Sequence, residues 1–188
     1  MHLILASTSS YRRELLSRLR LPFEQHSPDF IEASAGSMPV EDLIRFNTLG
    51  KARSVLEQNP DSLVIASDQL AVCGQITLGK PGTVQAACEQ LRLASGQCVK
   101  FLTGLTLTST DRKLFEIIPF RVYFRHLTDE EISTYVELEQ PLDCAGSFKS
   151  EGLGISLFER MEGDDPTALI GLPLIRLSQW LKPLELKT

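Results

Sequence analysis

No stretch of this sequence reaches the roughly 18 consecutive apolar residues that a membrane-spanning helix needs, and the N-terminus reads as no secretory signal. The four cysteines, Cys73, Cys88, Cys98 and Cys144, form no C-x-x-C pair, and the nearest two stand ten positions apart. These absences predict a cytoplasmic protein with reduced thiols, small buried side chains with Cys144 set apart by its glycine- and serine-rich neighbours. The three histidines, His2, His26 and His126, are scattered without metal-ligand spacing. There is no internal repeat and no low-complexity tract. Basic residues are in the minority, 19 against 24 acidic, for a net charge of −5. That balance argues against a general binder of nucleic-acid polymers. It leaves room for a small anion held by a few converging cations.

What is present is an ordinary globular composition, 43% hydrophobic and 23% charged over 188 residues, enough for one domain over residues 1–188. The organising stretch is Leu3 to Leu16. An apolar run, read as a buried strand, breaks at Ala6 into hydroxyls from Ser7 to Ser10. It resumes as a helix with Tyr11, Leu15 and Leu19 on one face. A strand entering a helix through small polar residues leaves N–H groups facing outward, an arrangement that attracts anions. Arg12 and Arg13 fall in the first turn, where cations are disfavoured unless an anion neutralises them. A triphosphate fits.

Further along, Asp29 and Glu32 lie in a loop poor in basic residues and are candidate carboxylate ligands for a hard divalent cation. A helix entered at Ser37-Met38-Pro39 carries Val40, Leu43, Ile44, Asn47 and Lys51 along one face and ends near Asn59-Pro60. A second buried strand, Ser62 to Ser67, is read as ending at Asp68-Gln69, at the carboxyl edge where open α/β sheets bind ligands. A reversal around Gly74 leads to Gly79-Lys80-Pro81-Gly82, in which Gly and Pro fix the backbone around a placed lysine. The spacing is not that of a Walker A loop. Thr83 caps a helix to Ser95, with Val84, Ala87 and Leu91 on one face. Val99–Thr108 and Lys113–Arg125 form an antiparallel pair, with Pro119 placing a bulge or an edge in the second strand. Thr128 and Glu131 make a capping box. Cys144 to Gly154, rich in glycine and serine around Lys149 and Glu151, reads as a binding loop. Ile155–Met161 reads as a strand. A last helix from about Pro173 turns Leu174, Leu177 and Leu181 inward, with Trp180 in or near the core.

Leu5-Ala6-Ser7-Thr8-Ser9 with Arg12-Arg13-Glu14-Leu15-Leu16, then Ser67-Asp68-Gln69, Gly79-Lys80-Pro81, Ala145-Gly146 and Gly171-Leu172-Pro173-Leu174 occur in one order over nearly the whole chain. Together they resemble the Maf family of nucleoside triphosphate pyrophosphatases. The resemblance implies an α/β fold, a long twisted mixed sheet with flanking helices and two lobes around a deep nucleotide cleft. It implies cleavage between the α- and β-phosphates with a divalent metal, Mg²⁺ or Mn²⁺, and a possible homodimer. Asp68 matches the family's proton acceptor. Ser7, Ser9, Arg12, Arg13, Lys51 and Lys80 match its phosphate-binding residues, and Glu32 is the candidate metal ligand. Tyr11, Gln69 and Glu151 fall where the branches differ. An aromatic, Gln and Glu there resemble the branch acting on 7-methyl-GTP, whereas the dTTP/UTP branch carries Arg, Thr and Gln. Two rival readings stay open at this point, a pyrophosphatase of other or broader preference and a nucleotide-binding regulator of cell division.

Overall fold

Leu3, Ile4, Leu5 and Ala6 are all buried, so the first strand, β1 (His2–Ala6), has no solvent face. Such a strand needs partners on both edges and cover on both sides. The computed structural model, which describes residues 2–184, supplies both. β1 pairs in parallel with β2 (Glu24–His26) on one edge and with β3 (Ser62–Cys73) on the other. The helix α1 (Ser10–Ser17) follows β1, and α2 (Val40–Gln58) separates β2 from β3. The antiparallel reversal around Gly74 joins β3 to β4 (Ile76–Leu78) as expected, with Ala71 opposite Leu78 and Cys73 opposite Ile76. Then come α3 (Val84–Ala94), β5 (Cys98–Thr108), β6 (Lys113–Phe124), α4 (Asp129–Glu139), β7 (Phe158–Glu162), α5 (Thr167–Ile170) and α6 (Leu174–Leu181). The seven strands form one mixed sheet in the order β2-β1-β3-β5-β6-β7, with β4 on β3. Among the described residues no helix is long and apolar enough to cross a membrane.

The chain divides into two units. The first takes the chain up to Gln69, Thr103–Ile118 and the chain from Asp165. Here the odd residues of β1 and β3, Leu3, Leu5, Leu63 and Ile65, pack with Leu15 and Leu16 of α1 and Leu174, Leu177 and Leu181 of α6. The even residues, Ile4, Ala6, Val64 and Ala66, pack with Ala52 and Val55 of α2. That is the period of two of a strand covered on both faces. The second unit, Leu70–Leu102 and Pro119–Asp164, has an aromatic centre. Phe101, Phe124, Phe148 and Phe158 meet edge to face with ring centroids 4.9–5.5 Å apart.

Several boundaries differ from the sequence reading. Leu19 lies beyond the end of α1, although it still packs on the core. Val84 is exposed, and α3 buries Ala87, Leu91 and Ala94 instead. Ile155 to Leu157 belong to a 3-10 turn, Leu153–Leu157, so the expected strand shrinks to β7. Gly154 permits this path, because a Cβ there would sit 2.4 Å from the Lys149 carbonyl oxygen. The irregularity in the β6–β7 pairing falls opposite Tyr123 and Phe124, where Glu159 of β7 is the extra residue; Pro119 is exposed and lies outside the stretch paired with β7.

Candidate active site

α2 carries two polar residues one turn apart on its buried face, Asn47 and Lys51, 3% and 7% exposed. A lysine on an apolar face often runs its stem outward to water. Lys51 instead ends on two carboxylates, 2.6 Å from Asp68 Oδ1 and 2.8 Å from Glu32 Oε2. Asp68 is as buried as Lys51, whereas the Glu32 side chain is half exposed. Asn47 organises the same cluster. Its Oδ1 accepts from the Ala33 N–H at 2.9 Å, and its Nδ2 donates to the Ala33 carbonyl at 3.2 Å and to Asp68 Oδ2 at 3.3 Å. One carboxamide therefore pins the loop bearing Glu32 and steadies Asp68. The sequence shows Asn47 only as an oddity, a polar residue four positions before Lys51 on an apolar stripe.

Asp68 does not follow the end of its strand, as expected, but lies inside β3. The last β1–β3 pair is Leu5 with Ile65, so Asp68 stands past the carboxyl end of β1 rather than of β3. The loop leaving β1 arrives there. Buried Ser7 accepts from the Ser9 N–H through Oγ at 3.1 Å, and Ser9 caps α1 by accepting from the Arg12 N–H at 3.3 Å. A hydroxyl that accepts still has its proton to donate. Gln25 Nε2 holds the loop by donating to the carbonyls of Ser7 at 2.8 Å and Ser9 at 3.2 Å. Arg12 is half-buried and donates through Nε to the Gly171 carbonyl at 2.9 Å. Burial lowers its pKa from the ordinary value, opposed by the charges of Asp68 and then Glu32. Arg12 thus belongs to the field of the carboxylate cluster. Arg13 is exposed and lines an open cavity of about 890 Å³ with Ser10, Phe23, Glu24 and His26. Tyr11 is half-buried on α1, and Gln69 is tied through Nε2 to the carbonyls of Ala168 and Leu169 on α5.

The second unit holds the other two expected residues. Lys80 is exposed in a segment fixed at both ends: the Gly79 carbonyl accepts from Gln90 Nε2 at 3.1 Å, and the Gly82 N–H donates to the Leu142 carbonyl at 3.0 Å. Glu151 is exposed on a loop anchored by α4. There the Lys149 N–H donates to Tyr135 Oη at 3.0 Å, Lys149 Nζ to the Glu139 carbonyl at 2.9 Å, and the Leu153 N–H to Glu139 Oε2 at 2.8 Å. Burial raises the Tyr135 pKa well above the usual phenol range.

A family model described as Maf-like protein matches residues 2–184. The chain belongs to the Maf family. Relatives named 7-methyl-GTP pyrophosphatase share 55% identity in Alkalilimnicola ehrlichii and 54% in Pseudomonas aeruginosa, each over 181 residues. Those matches cover 95% of this chain and 91% and 94% of the relatives. A structural match, the Staphylococcus aureus Ham1 protein, has a TM-score of 0.54 at 13% identity and covers 98% of this chain and 100% of its own. That match speaks for the fold.

The Maf resemblance implies a divalent metal, and the donor set fits one. Glu32 and Asp68 meet on the Lys51 ammonium through Oε2 and Oδ1, and Glu32 Oε1 has no hydrogen bond or ion pair among the described residues, which leaves each carboxylate a second oxygen for a cation. Among the described residues no three His, Cys, Asp or Glu side chains cluster as a metal cage. A Mg²⁺-type ion needs no cage, since it is held by one or two carboxylates with phosphate oxygens and water. Asp29, the other candidate, is exposed and joins no ion pair among the described residues.

Proposed function

We propose that this protein hydrolyses 7-methyl-GTP to 7-methyl-GMP and pyrophosphate, in the cytoplasm, and so removes a modified nucleotide from the pool. The observation that carries the reading is the buried Lys51–Asp68 pair with Glu32 on the same ammonium. Water attacks the α-phosphorus, the bond to the bridging oxygen breaks, and pyrophosphate leaves. Asp68 takes the water's proton on Oδ2, which among the described residues accepts only from Asn47. Arg12, Arg13, Lys51 and Lys80, with the hydroxyls of Ser7 and Ser9, bind the phosphates and neutralise their charge. Glu32 and Asp68 would hold Mg²⁺ or Mn²⁺, which supplies further charge neutralisation at the phosphates.

The base preference rests on Tyr11, Gln69 and Glu151. Methylation at N7 makes guanine cationic, and a cation over an aromatic face gains roughly 0.5–2 kcal/mol. A carboxylate accepts from guanine N1–H and the 2-amino group and offsets the ring charge. The relatives that carry the 7-methyl-GTP name support the same choice. A homodimer is the assembly we propose, with no nucleic-acid polymer as partner. The test is pyrophosphate release from 7-methyl-GTP, GTP, dTTP and UTP with Mg²⁺ or Mn²⁺. Preferential release from 7-methyl-GTP, abolished in Asp68→Asn, is expected. Preference for dTTP and UTP overturns the base assignment, and tight binding with no release from any nucleotide leaves a regulator.

A further inference from the structure

Gln69 is not free to choose how it presents its side chain. Its Nε2 lies 2.7 Å from the Ala168 carbonyl oxygen, 3.1 Å from that of Leu169 and 3.1 Å from Thr103 Oγ1. Thr103 is fully buried on β5, and its own hydroxyl proton is spent on the Ala168 carbonyl at 2.8 Å. Towards Gln69 that hydroxyl can therefore only accept. Two main-chain carbonyls and an accepting hydroxyl form a pocket of acceptors, and only an NH₂ group satisfies it. Turning the carboxamide over would set Oε1 against two carbonyl oxygens and strand buried acceptors. The carbonyl Oε1 is consequently the end that faces away. It has no hydrogen-bond partner among the described residues, and the side chain is partly exposed.

We propose that Thr103 is a positioning residue that locks Gln69 with its carbonyl outward, so that position 69 reads a hydrogen-bond donor on the substrate base. The inference rests on the base-reading role given to Gln69 above. Guanine offers the 2-amino group as such a donor. A carboxylate that takes N1–H and one amino hydrogen leaves the second amino hydrogen for Oε1. Hypoxanthine lacks the group altogether. Thymine and uracil present one imide N–H between two carbonyl oxygens, so an acceptor fixed in place meets a like group there. The clamp converts a side chain able to donate or accept into one that only accepts, and such a site rejects an analogue without the donor because the site's own polar atom is left unpaired.

Calorimetric binding of 7-methyl-GMP against 7-methyl-IMP tests this independently of turnover. The two ligands share the cationic ring and the phosphate and differ by the 2-amino group. The wild-type protein should prefer 7-methyl-GMP by about 10-fold or more, the scale of one hydrogen bond to a partly buried group. Thr103→Val should cut that preference at least threefold while leaving 7-methyl-IMP affinity within about twofold, and Thr103→Ser should restore it. Gln69→Met, which has no acceptor, should bring the two affinities together and serves if Thr103→Val fails to fold. A wild type indifferent to the 2-amino group, or a preference unchanged in Thr103→Val or Gln69→Met, overturns the proposal. Absence of pyrophosphate release refutes the proposed reaction and leaves this binding comparison standing.

Discussion

Removing the ammonium at position 51 should be more damaging to the fold than removing the carboxylate it serves. Lys51→Met keeps the stem but leaves Asp68, which is buried, with Asn47 at 3.3 Å as its one side-chain partner among the described residues. Breaking a buried ion pair from one side costs ~3–5 kcal/mol. Coulomb's law is of the same order: at an effective dielectric of about 20, unit charges at the 2.6 Å separation of this pair attract by roughly 6 kcal/mol, before the desolvation that opposes it. Glu32 adds little to the sum, because its side chain is 53% exposed and such pairs contribute ~0–1 kcal/mol. The reverse change is milder. In Asp68→Asn the lysine keeps Glu32 at 2.8 Å and so retains a counter-charge, and the loss should be about 1.5–3 kcal/mol, a hydrogen bond to a charged group. In the double variant the penalties should fall short of their sum, because the orphaned charge has gone with its partner. Urea unfolding at neutral pH, with a constant slope as the check on two-state behaviour, reads all four proteins. If Lys51→Met lies within ~1 kcal/mol of wild type, or Asp68→Asn proves the more damaging of the two, the cluster is solvated and the burial argument fails.

Gly171 is the cap that follows α5, at φ +116°, and its carbonyl accepts from both Arg12 Nε and Ser67 Oγ. Gly171→Ala should cost about 1–3 kcal/mol through backbone strain and lower kcat/KM by disturbing Arg12; an unchanged melting temperature would rule that out. Glu131 has its pKa held below the ordinary carboxylate range, first by accepting from the Thr128 N–H and then from Arg125. Its charged form is the one the fold favours, so its contribution is present above the ordinary value and fades as pH falls through the lowered one. Glu131→Gln should therefore unfold at lower urea than wild type at neutral pH, and the gap should narrow as the pH is taken below the ordinary carboxylate range; a gap that stays constant as the pH falls contradicts the assignment.

The entries of α3 and α4 were legible in the sequence because capping is local chemistry; that of α2 was not, since Pro39 stands at its N-cap and Ser37 Oγ donates to the Ser34 carbonyl instead of capping the helix. Ser9, Thr83 and Thr128 each accept from an N–H three residues on, with Glu131 completing its box. The end of β3 was not legible. Ser67-Asp68-Gln69 reads as a stop, since burying polar side chains without partners is costly. The strand continues because each finds partners from distant parts of the chain: Ser67 with the Gly171 carbonyl, Asp68 with Lys51 and Asn47, Gln69 with α5. Those partners lie up to 104 positions away, beyond any local pattern. α5 itself was missed, being four residues long. Its entry is held by buried Asp165, which accepts from the N–H and hydroxyl of Thr167 and from the N–H of Ile175.

The same three residues also settle the register of β3. From Leu63 to Ala66 the strand is buried on both faces, Leu63 and Ile65 in one cluster and Val64 and Ala66 in the other. A one-residue slip would exchange one apolar set for another, a small change in burial for a run with no polar face. It would also carry Asp68 away from Lys51 and Asn47, and Gln69 away from Thr103 and the α5 carbonyls. Ser67 and Gln69 share the α5 side, and Asp68 alone faces α2, so no shifted register satisfies all three. The polar trio therefore specifies what the hydrophobic run leaves open, and it does so with the groups assigned here to proton transfer and base recognition. Adjacent residues on opposite faces of one strand separate those two tasks by the pleat alone. Both stand past the carboxyl end of β1, where the Ser7–Ser9 loop leads into α1.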